Sequence, residues 1–154
     1  MLAVFDIDGV VADVRHRLHH LDSPRSWHRF FAAAGADTLL AEGARLAAEM
    51  ATQHEVVWLT GRPEWLREIT VDWLARHGLP GSELHLRPPR DYRPAPLYKR
   101  EALGRMAARG IAAFVDDDDE VVQTALQAGY PAVLADWLPR AAALRDAQDR
   151  LGRT

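Results

Sequence analysis

The chain has 154 residues, the length of about one domain, and its 19 Lys plus Arg against 22 Asp plus Glu leave a net charge of −3, which excludes the global basic field of an extended nucleic-acid binder. Hydrophobic residues at 48% and charged residues at 27% exclude a disordered tail, a collagen-like chain and a coiled coil. With no Cys, disulfide staples, thiolate zinc sites and Cys nucleophiles are excluded as well.

Residues 3–7 form a short apolar run ending in acid, a strand candidate. No basic leader precedes it and no run of ~18 apolar residues follows, so the sequence predicts a cytoplasmic chain with no membrane span. After Gly9 comes a long excursion in which Ser23-Pro24 predicts a helix start and Gly35 its end, with Trp27, Phe30, Phe31 and Ala34 on the apolar face. This insertion, about residues 13–40, is sized either to lie over a strand-end site as a flap or to pack a helix on the sheet edge. A helix over residues 42–53 and a strand over 55–60 come next. Pro63 opens a helix over residues 63–77, with Trp65, Ile69, Trp73 and Leu74 as its stripe and Gly78 as its C-terminal cap. Residues 83–87, 112–115 and 132–135 read as strands, residues 87–96 as a stiff Pro-rich loop, and residues 138–151 as a closing amphipathic helix. Strands alternating with helices predict an α/β fold, a three-layer sandwich around a mainly parallel sheet, with ligands held beyond the strands' C-terminal ends.

The chemistry-bearing residues fall at those ends. Asp6 and Asp8 flank Ile7 after the first strand, and Gly9 lets the backbone turn sharply there. Two ionised carboxylates this close need either a shared proton or a cation. A second acidic centre, Asp116 to Asp119, follows the apolar run 112–115. Asp118 or Asp119 caps the next helix, which runs through Gln127, and Glu120 favours its first turn. Asp116 and Asp117 come too early to cap and are assigned to the cation beside Asp6; oxygen-only ligands favour Mg²⁺. Thr60, Gly61 and Arg62 bring a hydroxyl, free N–H groups and a guanidinium to one strand end, a place where an anion can bind. Of the 19 basic residues, Lys99 alone is Lys. Tyr98 before it and Arg100 after it exclude a Walker A loop, whereas a compact ammonium suits the space between a carboxylate nucleophile and a phosphoryl oxygen.

Taken together, FDIDGV, LTGR, Lys99 and FVDDDD resemble the four motifs of the haloacid dehalogenase (HAD) superfamily of aspartate-based phosphotransferases, in order and over nearly the whole chain. Within it, TGRPE, RPPRDYRP and DDDDEVV look like the phosphatase part of polynucleotide kinase-phosphatases. The pattern departs at Val10, where many members carry Thr, and at Asp118, where related polynucleotide phosphatases often show Arg. The resemblance implies one HAD-like phosphatase domain over residues 1–154. In it Asp6 is the nucleophile, forming an aspartyl-phosphate, and Asp8 the acid and base, a role that asks for a carboxyl pKa lifted towards neutrality. It further implies Mg²⁺ on Asp6, Asp117 and the Asp8 carbonyl, with Asp116 in support, while Thr60 and Lys99 stabilise the transition state.

Arg62 is expected to reach a second anionic group of the substrate; an ion pair with Glu64 or Asp91 is its alternative. Arg15 and Arg17, with His16, His19 and His20, are expected near the mouth of the site, where they could hold a substrate body; the histidines lack zinc-ligand spacing. The implied function is a Mg²⁺-dependent phosphomonoesterase for a nucleic-acid 3′-phosphate end or a nucleotide, with no obligate protein partner. A phosphatase for small metabolites such as sugar phosphates is the second enzyme reading, and a phosphate-accepting receiver module is the non-enzymatic one.

Overall fold

The computed structural model describes residues 1–145. Five parallel strands build the central sheet: β1 (Leu2–Phe5), β4 (Glu55–Pro63), β5 (Glu83–Arg87), β6 (Ile111–Asp116) and β7 (Ala132–Leu134). Their spatial order is β5-β4-β1-β6-β7, so the chain leaves β1 on one side and returns on the other. The crevice beside β1 is the switch point at which open α/β sheets bind ligands. β1 is buried along its whole length because both its faces are covered, as a parallel sheet requires.

Side chains alternate between those faces. Leu2, Val4, Val57, Leu59 and Phe114 pack on α4 (Ala95–Met106) and α5 (Asp119–Gln127) through Leu103, Met106, Val121 and Ala125. Ala3, Phe5, Val56, Trp58 and Val115 pack on α2 (Ala41–Met50) and α3 (Arg67–Arg76) through Ala47, Trp73 and Leu74. Each large side chain so buried contributes ~1.5–3 kcal/mol. Parallel pairing places Phe5 level with both Trp58 and Val115, which delivers the ends of β1, β4 and β6 to one edge.

Between β1 and α2 lies the insertion. It holds a two-stranded antiparallel pair, β2 (Ala12–Asp13) with β3 (Thr38–Leu39), a 3-10 helix over Arg15–Leu21, and α1 (Trp27–Ala32). Val14, Leu21, Phe30 and Phe31 form its own apolar cluster with Leu66, Leu86 and Leu144. The insertion therefore packs on the strand-end edge beside β4 and β5.

Several boundaries differ from the sequence reading. The Ser23-Pro24 peptide is cis and precedes the helix; Ser26 is the N-cap, accepting from the Arg29 amide at 3.3 Å, and a 3-10 turn runs past Gly35 to Ala36. The helix expected from Pro63 starts at Arg67, because β4 continues to Pro63, where it pairs with Arg87. Trp65 thus sits in a 3-10 turn, 52% exposed, rather than on the apolar stripe. Of the helix expected over 138–151, residues 142–145 are helical and the remainder lies outside the described residues. Among the described residues no helix is long and apolar enough to cross a membrane.

Candidate active site

β1 ends one residue before Asp6, whose amide still donates to the Val115 carbonyl at 2.9 Å. That bond fixes Asp6 beside the end of β6, and the Ile7 amide donates to its Oδ1 at 2.8 Å. Lys99, in the second turn of α4 and only 1% exposed, reaches across to both acidic centres. Its Nζ lies 2.7 Å from Asp6 Oδ2 and 2.6 Å from Asp116 Oδ2. Burial opposes the ammonium, yet Asp116 and Asp6 outweigh it and raise its pKa. The positive charge is permanent.

Asp117 completes the cluster: one carboxylate oxygen from each of Asp6, Asp116 and Asp117 lies within 4.8 Å of the others. Gly9 has φ +76°, and a Cβ there would stand 2.2 Å from Asp117 Oδ2. Glycine is therefore required twice over, for the left-handed turn and for the approach of the carboxylate. Burial, against the pull of Lys99, pushes Asp116 up to about 7. Burial likewise pushes Asp117 well above the usual carboxylate range, against the pull of Arg140. Clustered, desolvated, all-oxygen donors of this kind fit a hard divalent cation.

Thr60 is buried at the end of the regular part of β4, and its Oγ1 accepts from the Arg62 amide at 3.2 Å. Arg62 turns inward. It pairs with neither Glu64, which holds Arg67, nor Asp91, whose partners are Arg93 and Arg87. Its Nη2 lies 2.6 Å from Asp8 Oδ1 and 3.0 Å from Asp37 Oδ2, and its Nη1 donates to Thr70 Oγ1 at 3.2 Å. Arg17, fully buried against the Phe30 ring at 4.2 Å, reaches the same two acids, at 2.9 Å to Asp8 and 2.8 Å to Asp37.

Asp8 thus differs from the expectation of a carboxyl poised near neutrality. Burial would raise its pKa, but Arg17 and Arg62 more than reverse that and take it to about 2. Its carboxylate faces the guanidiniums instead of the Asp6–Asp116–Asp117 cluster. Asp37 was not singled out by sequence; nothing in its surroundings there marks it. It is pushed upward by burial against the pull of Arg17, and the Trp73 indole N–H donates to its backbone carbonyl at 2.8 Å.

The remaining candidates sit outside this core. Arg15 is paired with Asp13 at 2.6 Å, its side chain largely exposed, and lines a narrow crevice with Gly9, Asp117 and Arg140. His16 reaches Asp37 Oδ1 at 2.7 Å, while the His19 and His20 rings lie against each other, 3.9 Å apart and tilted by 43°. Asp118 caps α5, its side chain accepting from the Glu120 amide at 2.9 Å. Its other oxygen lies 2.6 Å from Nη1 of Arg140, a buried residue that the sequence reading also passed over.

Comparison with known proteins identifies the family and the fold. The family model of the polynucleotide kinase PNKP phosphatase domain matches residues 1–134. A chain of the Pnkp1/Rnl/Hen1 complex superposes with a TM-score of 0.69 at 24% identity, covering 86% of this chain and 45% of its own. The chain thus spans under half of that relative's length. A haloacid dehalogenase-like hydrolase from Streptococcus pneumoniae superposes with a TM-score of 0.64 at 13% identity, covering 97% and 91%. A HAD family enzyme from Bacteroides thetaiotaomicron, solved with magnesium and inorganic phosphate, does so with a TM-score of 0.51 at 12% identity, covering 92% and 94%. No curated protein matches the sequence.

Proposed function

The chain belongs to the family of polynucleotide kinase PNKP phosphatase domains, within the haloacid dehalogenase superfamily, and from that premise we propose that it is a Mg²⁺-dependent phosphomonoesterase acting through an aspartyl-phosphate on Asp6. The observation that carries the reading is the buried contact of Lys99 with Asp6 and Asp116, beside Asp117.

The chemistry follows from the contacts. With one Asp6 oxygen held by the Ile7 amide and the other by Lys99, the carboxylate is fixed for in-line attack. A bond forms from an Asp6 oxygen to phosphorus as the bond to the substrate's ester oxygen breaks, and that oxygen takes a proton from Asp8. Water then attacks the acyl phosphate, losing its proton to Asp8 and releasing phosphate with Asp6 restored. Thr60, Gly61 and Lys99 line the phosphoryl position, where fixed donors lower the barrier most. Asp6, Asp116 and Asp117, together with the Asp8 carbonyl, would hold Mg²⁺, which would offset the repulsion between an anionic nucleophile and an anionic substrate. While Arg17 and Arg62 grip Asp8, it carries no proton to give. An incoming anion is the group able to draw those guanidiniums away, which makes Arg62 and Arg17 substrate contacts as well as partners of Asp8. Arg15, at the crevice by Gly9, lies where a longer substrate would leave. Residues 13–40 act as the flap of a single phosphatase domain.

The favoured substrate is a nucleic-acid 3′-phosphate end or a nucleotide, supported by the family and by a structural relative from an RNA repair complex. In a panel with Mg²⁺, a 3′-phosphorylated oligonucleotide is expected to release phosphate faster than any sugar phosphate. Faster release from the sugar phosphates would turn the reading to a metabolite phosphatase.

Metal binding has its own signature. Asp116 is raised to about 7 from an ordinary 3.8, so in the metal-free chain its contribution to stability is complete below pH ~4 and is lost as pH rises through about 7. Mg²⁺ needs the deprotonated carboxylates and relieves that loss. At a fixed concentration about 100 times its Kd at pH 8 it should add ~2.7 kcal/mol there, a melting rise of about 5–10 °C, and less at pH 5.5, where protonated carboxylates weaken binding. A shift independent of pH, or none, contradicts the assignment.

A further inference from the structure

Beside the phosphate loop the surface carries a groove of about 420 Å³ that the chemistry above does not use. Its walls are Trp27 and Phe31 of α1, Trp65 and Tyr92, with Gly61, the residue after Thr60, in the same lining. Trp65 is 52% exposed and Tyr92 62% exposed, a large apolar outlay for residues that bury little core. The indole of Trp65 is nonetheless held in place: the His28 ring stacks 5.1 Å away at 22°, and the Phe31 ring meets it edge-on at 6.4 Å. Arg90 stands exposed in the same lining, while Arg87 is buried, its guanidinium over the Tyr98 ring and its Nη1 donating to the Arg93 carbonyl at 2.9 Å. Rigid rings beside an exposed guanidinium suit a flat aromatic group attached to an anion, whereas a sugar would need an array of hydrogen-bonding groups.

We propose that this groove is the seat of one unpaired nucleobase at the phosphorylated end, stacked on Trp65, with the exposed Arg90 towards the adjoining backbone phosphate. The proposal rests on the phosphomonoesterase reading only for the direction in which the substrate enters. Gly61, which follows Thr60 in the chain, lines the groove, so the groove opens beside the loop proposed above to hold the phosphoryl group. Stacking of this kind is tolerant of base identity, because every base has a π-face. A base lying in the groove has left the stack of its own strand, so a single-stranded end is the better occupant.

The test compares two 3′-phosphorylated oligonucleotides that differ only in whether the terminal sugar bears a base or is abasic. The wild-type chain is expected to favour the base-bearing one by roughly tenfold or more in kcat/KM. Trp65→Ala should bring that ratio close to one and Trp65→Phe should restore most of it; annealing the end into a duplex should lower kcat/KM. A wild-type ratio near one, a ratio that Trp65→Ala leaves intact, or equal rates on single strand and duplex overturns the proposal. Binding is read separately from turnover, by quenching of tryptophan fluorescence when the base-bearing oligonucleotide is added to the Asp6→Asn chain. Base-dependent quenching that Trp65→Phe alters, with no hydrolysis by wild type, keeps the groove assignment and removes the phosphatase reading. Hydrolysis with no base dependence in either assay does the reverse.

Discussion

Replacing Asp6 by Asn is expected to lower phosphate release by more than roughly 10⁴-fold, the order of loss seen when a covalent nucleophile is taken from a concerted site. The substitution preserves shape, so the Ile7 amide keeps an oxygen to donate to and Lys99 keeps Asp116 at 2.6 Å. The fold should therefore survive, and the loss reports chemistry. Acid quenching during turnover should trap a phosphoryl group on the wild-type chain and none on Asp6→Asn, because the acyl phosphate needs the carboxylate oxygen that Asn lacks. Turnover within a few-fold of wild type, or label trapped on the variant, would show that another group attacks phosphorus.

The fold was legible because each layer left its own period in the sequence. The strand over Glu83–Arg87 agrees residue for residue with the sequence reading, and of the two cap candidates before the apolar helical run, Asp118 and Asp119, the structure takes Asp118. The cluster of Asp6, Lys99 and Asp116 was legible for a different reason: strand ends in a parallel sheet are forced to one edge, so motifs far apart in sequence must meet there. What stayed hidden depends on side-chain direction. Arg62 follows a strand end where two outcomes are open, outward to a substrate or inward to an acid, and it turns inward to Asp8 and to Asp37, 25 residues earlier. Asp37 itself reads as a polar residue in a turn. Its weight comes from being carried, by an insertion with its own apolar cluster, into contact with two buried guanidiniums. Trp65 was misplaced because helical spacing was projected back to Pro63, where the chain is still extended, across the 3-10 turn that precedes the helix.

That hidden residue makes the second large prediction. Asp37→Ala is expected to lower stability by about 3–5 kcal/mol, the cost of leaving a buried charge without its partner, and so to lower the melting temperature by ~6–20 °C. The reason is specific. Arg17 is fully buried and donates to both Asp37 oxygens at 2.8 Å; among the described residues its other hydrogen-bond partners are Asp8 at 2.9 Å and, at a long 3.4 Å, the Phe30 carbonyl. Two guanidiniums and two carboxylates balance in the wild type; without Asp37, both cations press on Asp8. Removing the opposing charge along with it should recover part of the loss, so Asp37→Leu combined with Arg17→Met should melt above Asp37→Leu alone, a coupling that a merely surface-lying acid would not show. The acid limb offers an independent reading of the same cluster. Asp8 is held at about 2 against an ordinary 3.8, so its contribution is present above pH ~4 and lost as pH falls through about 2. Asp8→Asn should remove that part of the acid transition. An Asp37→Ala chain that melts with wild type, or an acid limb unchanged in Asp8→Asn, would mean that the four charges are not coupled and that the insertion is held by its apolar contacts alone.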